Sequence, residues 1–321
     1  MKIGIVGDLH IAPPPKKRID DYFQVGLNKI EEIAKNCDLV IFLGDIFTDP
    51  KVEPQYVNRL TRHLDFCKQM YNCIFKTIIG NHDVAHEEES NLDYSSLGTL
   101  YSSNIMGIIK PEEPYVVNDG IIYRFNTVPV KYKSAKEYIQ TMRYSNEVQL
   151  RFGEDLKPCI DVLLVHHEYE TGTNCFTYAD FKDLGCKMIF LGHDHKPFDA
   201  GRIIYPEFTI YRSGSIMRNR ADDYNLTRQL YYYVLEDGNV SCAAVTTSPA
   251  EEVFTIDAVE QIEYKKTKFT ESVDTIIDKV KNNITVQDRF SIKGILGELN
   301  TPEENIDYIR KQYEKAGEVF A

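Results

Sequence analysis

The stretch Asp38-Leu39-Val40-Ile41-Phe42-Leu43-Gly44-Asp45 decides how this chain folds. Its unbroken apolar run, Leu39 to Leu43, is rich in β-formers and is closed by Asp38 and Gly44. A strand buried on both faces of a sheet reads this way, because neither face alternates to polar residues. Asp45 then falls just past the C-terminal end of the strand, where open α/β sheets bind their ligands. A carboxylate on that rigid rim is a candidate metal ligand.

Four more segments end in the same manner. Lys2–Val6 runs into Gly7-Asp8-Leu9-His10, and Cys73–Ile79 into Gly80-Asn81-His82-Asp83. Asp161–Val165 stops at His166-His167, and Lys187–Leu191 at Gly192-His193-Asp194-His195. Between the first three of these strands the apolar period becomes helical. Asp20 or Asp21 can cap a helix carrying Phe23, Leu27, Ile30 and Ala34 on one face. Pro54 opens a second, with Val57, Leu60, Leu64 and Cys67 aligned. This β-α-β-α-β order implies parallel strands with helices packed on the sheet faces, an α/β architecture.

Farther on, Ser90–Ser103 reads as a short helix and Val116–Ile122 as a hairpin that turns at Asp119-Gly120. Residues 134–152 read as a helix capped by Ser134, and Tyr178–Leu184 as a short helix closed by Gly185. From Ile203 to about Thr247 short strands suggest an antiparallel extension occupying 200–250. Tyr231-Tyr232-Tyr233 fits a strand with buried and exposed rings in alternation better than a base-stacking platform. Near Ala250 the pattern changes. Residues 251–321 read as a small α-rich region, with one helix from Thr270 and another opened by the capping box Thr301-Pro302-Glu303-Glu304. The expected division is therefore 1–250 and 251–321.

A chain of 321 residues can hold one large domain, or a large and a small one. A hydrophobic fraction of 43% and a mean hydropathy of -0.35 fit a soluble globular protein. No apolar run reaches the ~18 residues of a membrane helix, and the N-terminus meets charge too soon for a signal peptide. Seven scattered cysteines without CxxC spacing point to reduced, mostly buried thiols, so a cytoplasmic location is expected. The net charge of -12 argues against gripping nucleic acid by bulk electrostatics, although bound cations would offset part of it.

The strand ends deliver Asp8, His10, Asp45, Asn81, His82, His166 with His167, His193 and His195 to one rim. Carboxylate, imidazole and amide oxygen without thiolate suit divalent manganese, iron, zinc or magnesium. Asp8 and His10 are two apart, so an extended segment points both to one side; His193 and His195 have the same relation. Asp45 can bridge two ions because a carboxylate has two oxygens with spare lone pairs. A single Asp or His at a strand end is usually a cap or a satisfied polar group. Five coincidences in one chain are not explained that way.

In order and spacing these motifs resemble those of the calcineurin-like metallophosphoesterases, over residues 1 to about 220. Gly44-Asp45-Ile46-Phe47 and Gly214-Ser215-Ile216-Met217-Arg218 resemble most the SbcD-type DNA nuclease subunits, including those of bacteriophages. The resemblance implies a β-sandwich with flanking helices in αββα layers. It also implies two divalent ions, Mn2+ above Mg2+, Fe2+ or Zn2+. Asp8, His10, Asp45 and His195 would hold one ion, and Asp45, Asn81, His166 and His193 the other. A hydroxide held between them would attack the phosphodiester, and His82, oriented by Asp83, would protonate the leaving oxygen. The choice between His166 and His167 stays open, with His166 preferred because it directly follows the strand. Thr48 stands where many relatives carry an acid or a histidine.

By the same resemblance the substrate is DNA, cut as an exo- or endonuclease in recombination, repair or replication. The partner is an SbcC-like coiled-coil ATPase docked on the C-terminal region, and a homodimer is left open. Arg218, with Ser215, is the candidate for touching substrate. Lys16-Lys17-Arg18 and Lys265-Lys266-Lys268 read more readily as solvated faces, and His63 and His86 as surface residues. Two alternatives remain. One is a small-substrate phosphodiesterase or phosphatase, although Asp45-Ile-Phe-Thr lacks the Asp-Arg-Gly of serine/threonine phosphatases. The other is a non-catalytic scaffold on the same fold, which would have lost ligands that are all present here.

Overall fold

Alternation along the buried strands sets up the layers. The computed structural model describes residues 1–12, 17–142, 149–152, 155–170, 174–219 and 229–255. All of them lie within one compact unit, Met1–Ile262. Strand β1 (Ile3–Val6) pairs in parallel with β2 (Leu39–Phe42), β2 with β3 (Ile74–Thr77), and β3 with the short β4 (Gly107–Ile108). The second sheet holds β5 (Tyr115–Asp119), β6 (Ile121–Thr127), β8 (Asp155–Val165), β9 (Met188–Leu191), β11 (Thr209–Tyr211) and β10 (Arg202–Ile204), in that spatial order. Strand β7 (Gln149–Phe152) pairs with the start of β8.

Ile3, Ile5, Leu39, Ile41 and Leu43 of the first sheet meet Phe125, Val162, Leu164 and Phe190 of the second in a central core. Their alternate neighbours face outward. Val6, Val40 and Phe42 pack against Phe23, Leu27 and Ile30 of helix α1 (Tyr22–Ala34) and Leu60 and Leu64 of α2 (Pro54–Tyr71), with Leu97 and Leu100 of α3 (Ser96–Ser102). On the other side Leu163, Val165, Ile189 and Leu191 meet Ala135 and Ile139 of α4 (Tyr132–Thr141) and Phe181 of α5 (Tyr178–Phe181). These are the expected αββα layers. Helix α1 starts where Asp21 accepts the N–H of Gln24 at 3.0 Å, and Pro54 occupies the first turn of α2. Val57, Leu60, Leu64 and Cys67 are the buried residues of α2.

Several expectations are corrected. The antiparallel extension expected after Ile203 holds for β10 with β11 and for β12 (Tyr231–Glu236) and β13 (Asn239–Ala244), which extend the first sheet beyond β1, but β11 itself lies parallel to β9. Strand β12 is covered on both faces, so Tyr232 enters the outer core and Tyr233 the central one, rather than alternating with solvent. The helix expected over 134–152 starts at Tyr132 and ends at Thr141, with no side-chain cap from Ser134. Met142 is already extended, and Gln149–Phe152 pairs with Asp155–Pro158 as a strand. Sheet pairing there overrides the local helical pattern. A short helical turn, Ala250–Val253, follows β13. The expectation of an α-rich region and the Lys265-Lys266-Lys268 patch lie outside the described residues, as does Lys16. Among the described residues, no helix is long and apolar enough to cross a membrane.

Candidate active site

The loops that leave β1 and β2 are laced together, which brings Asp8 and Asp45 to one place. The N–H groups of Leu9 and His10 donate to the Asp45 carbonyl at 3.2 and 2.9 Å, and that of Ile11 to Ile46 at 2.8 Å. Asp8 Oδ1 accepts the N–H of His193 at 3.1 Å, and Asp45 Oδ1 that of His82 at 2.9 Å. Asp45, His10 and His193 take left-handed backbone angles, φ 48°, 51° and 74°. Each costs about 1–2 kcal/mol for an L-residue. Burying a side chain such as Leu39, Ile41 or Leu43, all at 0% exposure, gains about 1.5–3 kcal/mol, so the strand easily holds Asp45 in its strained turn. Gly80 sits against that turn so closely that a Cβ there would lie 2.1 Å from Asp45 Oδ1.

Two groups of side chains converge, each with ligand atoms within 4.8 Å of one another: Asp8, His10 and His195, then Asp45, His166 and His193. His10 Nε2 and His195 Nε2 are 2.8 Å apart. Asn81 Oδ1 completes the second group, 3.1 Å from His166 Nε2 and 3.0 Å from His193 Nδ1. Asp45 Oδ2 reaches both groups, at 3.2 Å from His166 Nε2 and 3.5 Å from His10 Nε2. His166 Nδ1–H donates to the Leu43 carbonyl at 2.6 Å, which directs Nε2 at the cluster. Asp8 Oδ2 is buried with no hydrogen-bond partner, and leaving such an oxygen unmet costs about 1–3 kcal/mol or more. That orphaned oxygen, beside imidazole nitrogens with no thiolate, fits divalent cations.

The electrostatics are those of a cluster built for positive charge. Burial holds His10 down at about 3 and His193 at about 4, so both imidazoles are neutral and able to ligate. Burial also disfavours a charged His166, but Asp45 and Asp8 outweigh it and push the group up to about 10. Burial raises the Asp8 carboxyl; Asp45 overcomes the same penalty through His166 and His10 and is held low.

His82 stands apart from both groups. Its ring is exposed, its Nδ1 meets the Thr48 carbonyl at 2.7 Å, and its centroid lies 5.3 Å from that of His10. Asp83 does not orient it, contrary to expectation. The Asp83 carboxylate is fully buried and accepts the N–H groups of Gly80 at 3.0 Å and Phe47 at 3.3 Å, tying together the loops that carry Asn81 and Asp45. His167 turns away from the cluster. Its Nε2 meets the Pro129 carbonyl at 3.0 Å, its ring packs on Tyr132 and Phe176, and burial holds it at about 4.

Ser215 is buried, with Oγ accepting the Met217 N–H at 3.1 Å and its own N–H donating to the His195 carbonyl at 3.3 Å. It shapes the loop beside His195. Arg218 is buried too, and lines a cavity of about 120 Å3 with Arg18, Lys29 and Glu32, none of which belongs to the ligand groups. His86 is exposed, whereas His63 is half-buried and meets the Leu27 carbonyl at 2.8 Å, joining α2 to α1. Three features were not anticipated: the Thr48 carbonyl on His82, Glu168 Oε1 at 3.8 Å from His193 Nε2, and Asp194 paired to Arg212 at 2.7 Å. A backbone carbonyl leaves no trace in side-chain identity. Arg212 could have been noticed as a charge at the end of an otherwise apolar strand.

Residues 1–197 match the model of the calcineurin-like phosphoesterase family. The chain belongs to that family. Comparison with curated proteins gives no match. Among solved structures, this phosphoesterase is similar to a dimetal phosphatase from Danio rerio (11% identity, 78% of this chain and 97% of that one, TM-score 0.45). Similar too are a hypothetical protein from Pyrococcus horikoshii (12%, 83% and 93%, 0.37) and Vacuolar Protein Sorting 29 from Cryptosporidium parvum (14%, 77% and 98%, 0.30).

Proposed function

We propose that this phosphoesterase is a DNA nuclease that hydrolyses phosphodiester bonds with two manganese-type cations, working with an SbcC-like coiled-coil ATPase docked on the residues after 250. The observation that carries the reading is His82, an exposed imidazole beside, but outside, both ligand groups. An alcohol leaving group such as a deoxyribose oxygen departs only with a proton, and a positioned acid contributes roughly 10²- to 10⁴-fold to such a step. Thr48 engages Nδ1, so Nε2 is the atom left to hand over the proton. Asp8, His10 and His195 would hold one cation, and Asn81, His166 and His193 the other, with Asp45 shared. When bound, the cations supply charge to the phosphoryl oxygens and make water a nucleophile near neutral pH. The choice of DNA leans on the Gly214-Ser215-Ile216-Met217-Arg218 resemblance.

The net charge of -12 favours a second reading, a phosphodiesterase for small substrates. Purified full-length protein with Mn2+ and the ATPase, assayed on end-labelled single- and double-stranded DNA and on bis-p-nitrophenyl phosphate, separates the two. Cleavage of DNA supports the nuclease. Hydrolysis of the small ester with DNA left intact supports the second reading.

A further inference from the structure

His193 and His195 belong to different ligand groups, and the residue between them is Asp194. Asp194 Oδ2 lies 2.7 Å from Arg212 Nη1, and Oδ1 accepts the Lys196 N–H at 3.3 Å. Arg212 leaves the end of β11 and is 8% exposed. Its guanidinium carbon sits 4.0 Å from the centre of the Phe198 ring. Its own N–H donates to the Gly201 carbonyl, and its carbonyl accepts the Phe198 N–H, both at 3.2 Å. Three and four residues later, the N–H of Ser215 meets the His195 carbonyl and that of Ile216 the Asp8 carbonyl, at 3.3 and 3.2 Å. The guanidinium therefore sits on a strand end that borders the Asp8, His10 and His195 group, and reaches the segment carrying His193 through Asp194.

The loop needs such a hold. His193 has φ 74°, a conformation that a side chain with a Cβ keeps only where the surroundings over-determine it. Asp8 Oδ1 restrains the N–H of His193; on the following residue the restraint is the Asp194–Arg212 pair. We infer that Arg212 is a positioning residue: through Asp194 it fixes the His193–His195 segment, so that one guanidinium sets the ligand geometry of both cation sites. This rests on reading the two groups as cation sites. An ion pair whose side chains are 9% and 25% exposed could instead serve stability alone, and Arg124 with Asp161, which joins β6 to β8 and includes no residue of either ligand group, is the comparison.

Calorimetric titration of the full-length, metal-stripped chain with MnCl2 distinguishes these roles, with the thermal midpoint in chelator measured alongside. Arg212→Met and Asp194→Asn are expected to bind both Mn2+ ions about 10- to 100-fold more weakly, the usual scale for residues that orient ligands. Arg212→Lys should recover part of that loss, since an ammonium keeps the charge but not the flat guanidinium that stacks on Phe198. Arg124→Met should lower the midpoint and leave both affinities unchanged. Wild-type affinity in Arg212→Met and Asp194→Asn, or a loss at only one site, overturns the inference. If Arg212→Met does not fold, Asp194→Asn decides alone. A wild-type chain that takes up no Mn2+ overturns the cation-site reading, and the inference with it.

Discussion

Asp45 accepts the backbone N–H of His82 through Oδ1 at 2.9 Å, so a carboxylate shared by both ligand groups also sets the height of the exposed imidazole. His82 and the two ligand groups are thereby held in one frame, and their contributions can be separated by substitution. His82→Ala should leave the number of bound Mn2+ ions unchanged and lower turnover on DNA by about 10²- to 10⁴-fold. On bis-p-nitrophenyl phosphate the loss should be much smaller, because p-nitrophenolate leaves without a proton. Equal losses on both substrates would remove His82 from the role of acid.

The close approach behind Asp45 gives a second test. A methyl group on Gly80 would fall 2.1 Å from Asp45 Oδ1 and 2.3 Å from its backbone nitrogen. Gly80→Ala must therefore displace the shared carboxylate. Mn2+ affinity should drop by more than about tenfold, on the scale of a misplaced ligand, and hydrolysis should fall with it. Calorimetry and a turnover assay on the same preparation check this; intact affinity would mean that the loop yields without moving Asp45.

Much of this site is legible in the sequence because most of its ligands lie just past the end of a buried strand. Leu39–Leu43 could only be interior, so Asp45 had to emerge at a rim, and the same holds for His166 after Val165. Helices α1 and α2 were legible for a related reason, since Phe23, Leu27, Val57 and Leu60 recur at the spacing of one helical face. What the pattern cannot carry is the choice of remote partner. Nothing local tells β11 to lie beside β9, or places Tyr232 and Tyr233 in two different cores. Asp83 was misassigned because its sequence neighbour is His82, whereas its hydrogen bonds run to Gly80 and Phe47.

Asp83 should accordingly behave as a structural clamp. Its two oxygens satisfy two backbone N–H groups at 0% exposure. Asp83→Asn puts an amide hydrogen in place of one acceptor, and an unmet buried donor costs about 1–3 kcal/mol. The denaturant midpoint of the metal-free protein should fall accordingly, and below that of His82→Ala, whose exposed ring packs little. A midpoint equal to wild type would argue that Asp83 acts on the chemistry and not on the loops.

Removal of metal should expose the protonation of the cluster. Burial raises Asp8, and the pull of Asp45 and Asp8 outweighs burial to raise His166 to about 10, so the metal-free fold binds protons that the unfolded chain does not. Stability falls with rising pH wherever the folded state binds more protons. The His166 contribution is complete below its ordinary value of 6.5 and is lost on the way to about 10; the Asp8 contribution begins to be lost above 3.8. Cations replace those protons, so the loaded protein escapes the alkaline loss and gains affinity as His166 gives up its proton. Below 6.5 the depressed His10 and His193 act in the opposite sense, so the thermal midpoint in chelator should decline from about pH 7 to about pH 9, while the gap to the Mn2+-loaded protein widens. In His166→Asn the decline should flatten. Parallel pH profiles for the stripped and loaded protein would mean that the protons and the cations do not compete for the same side chains.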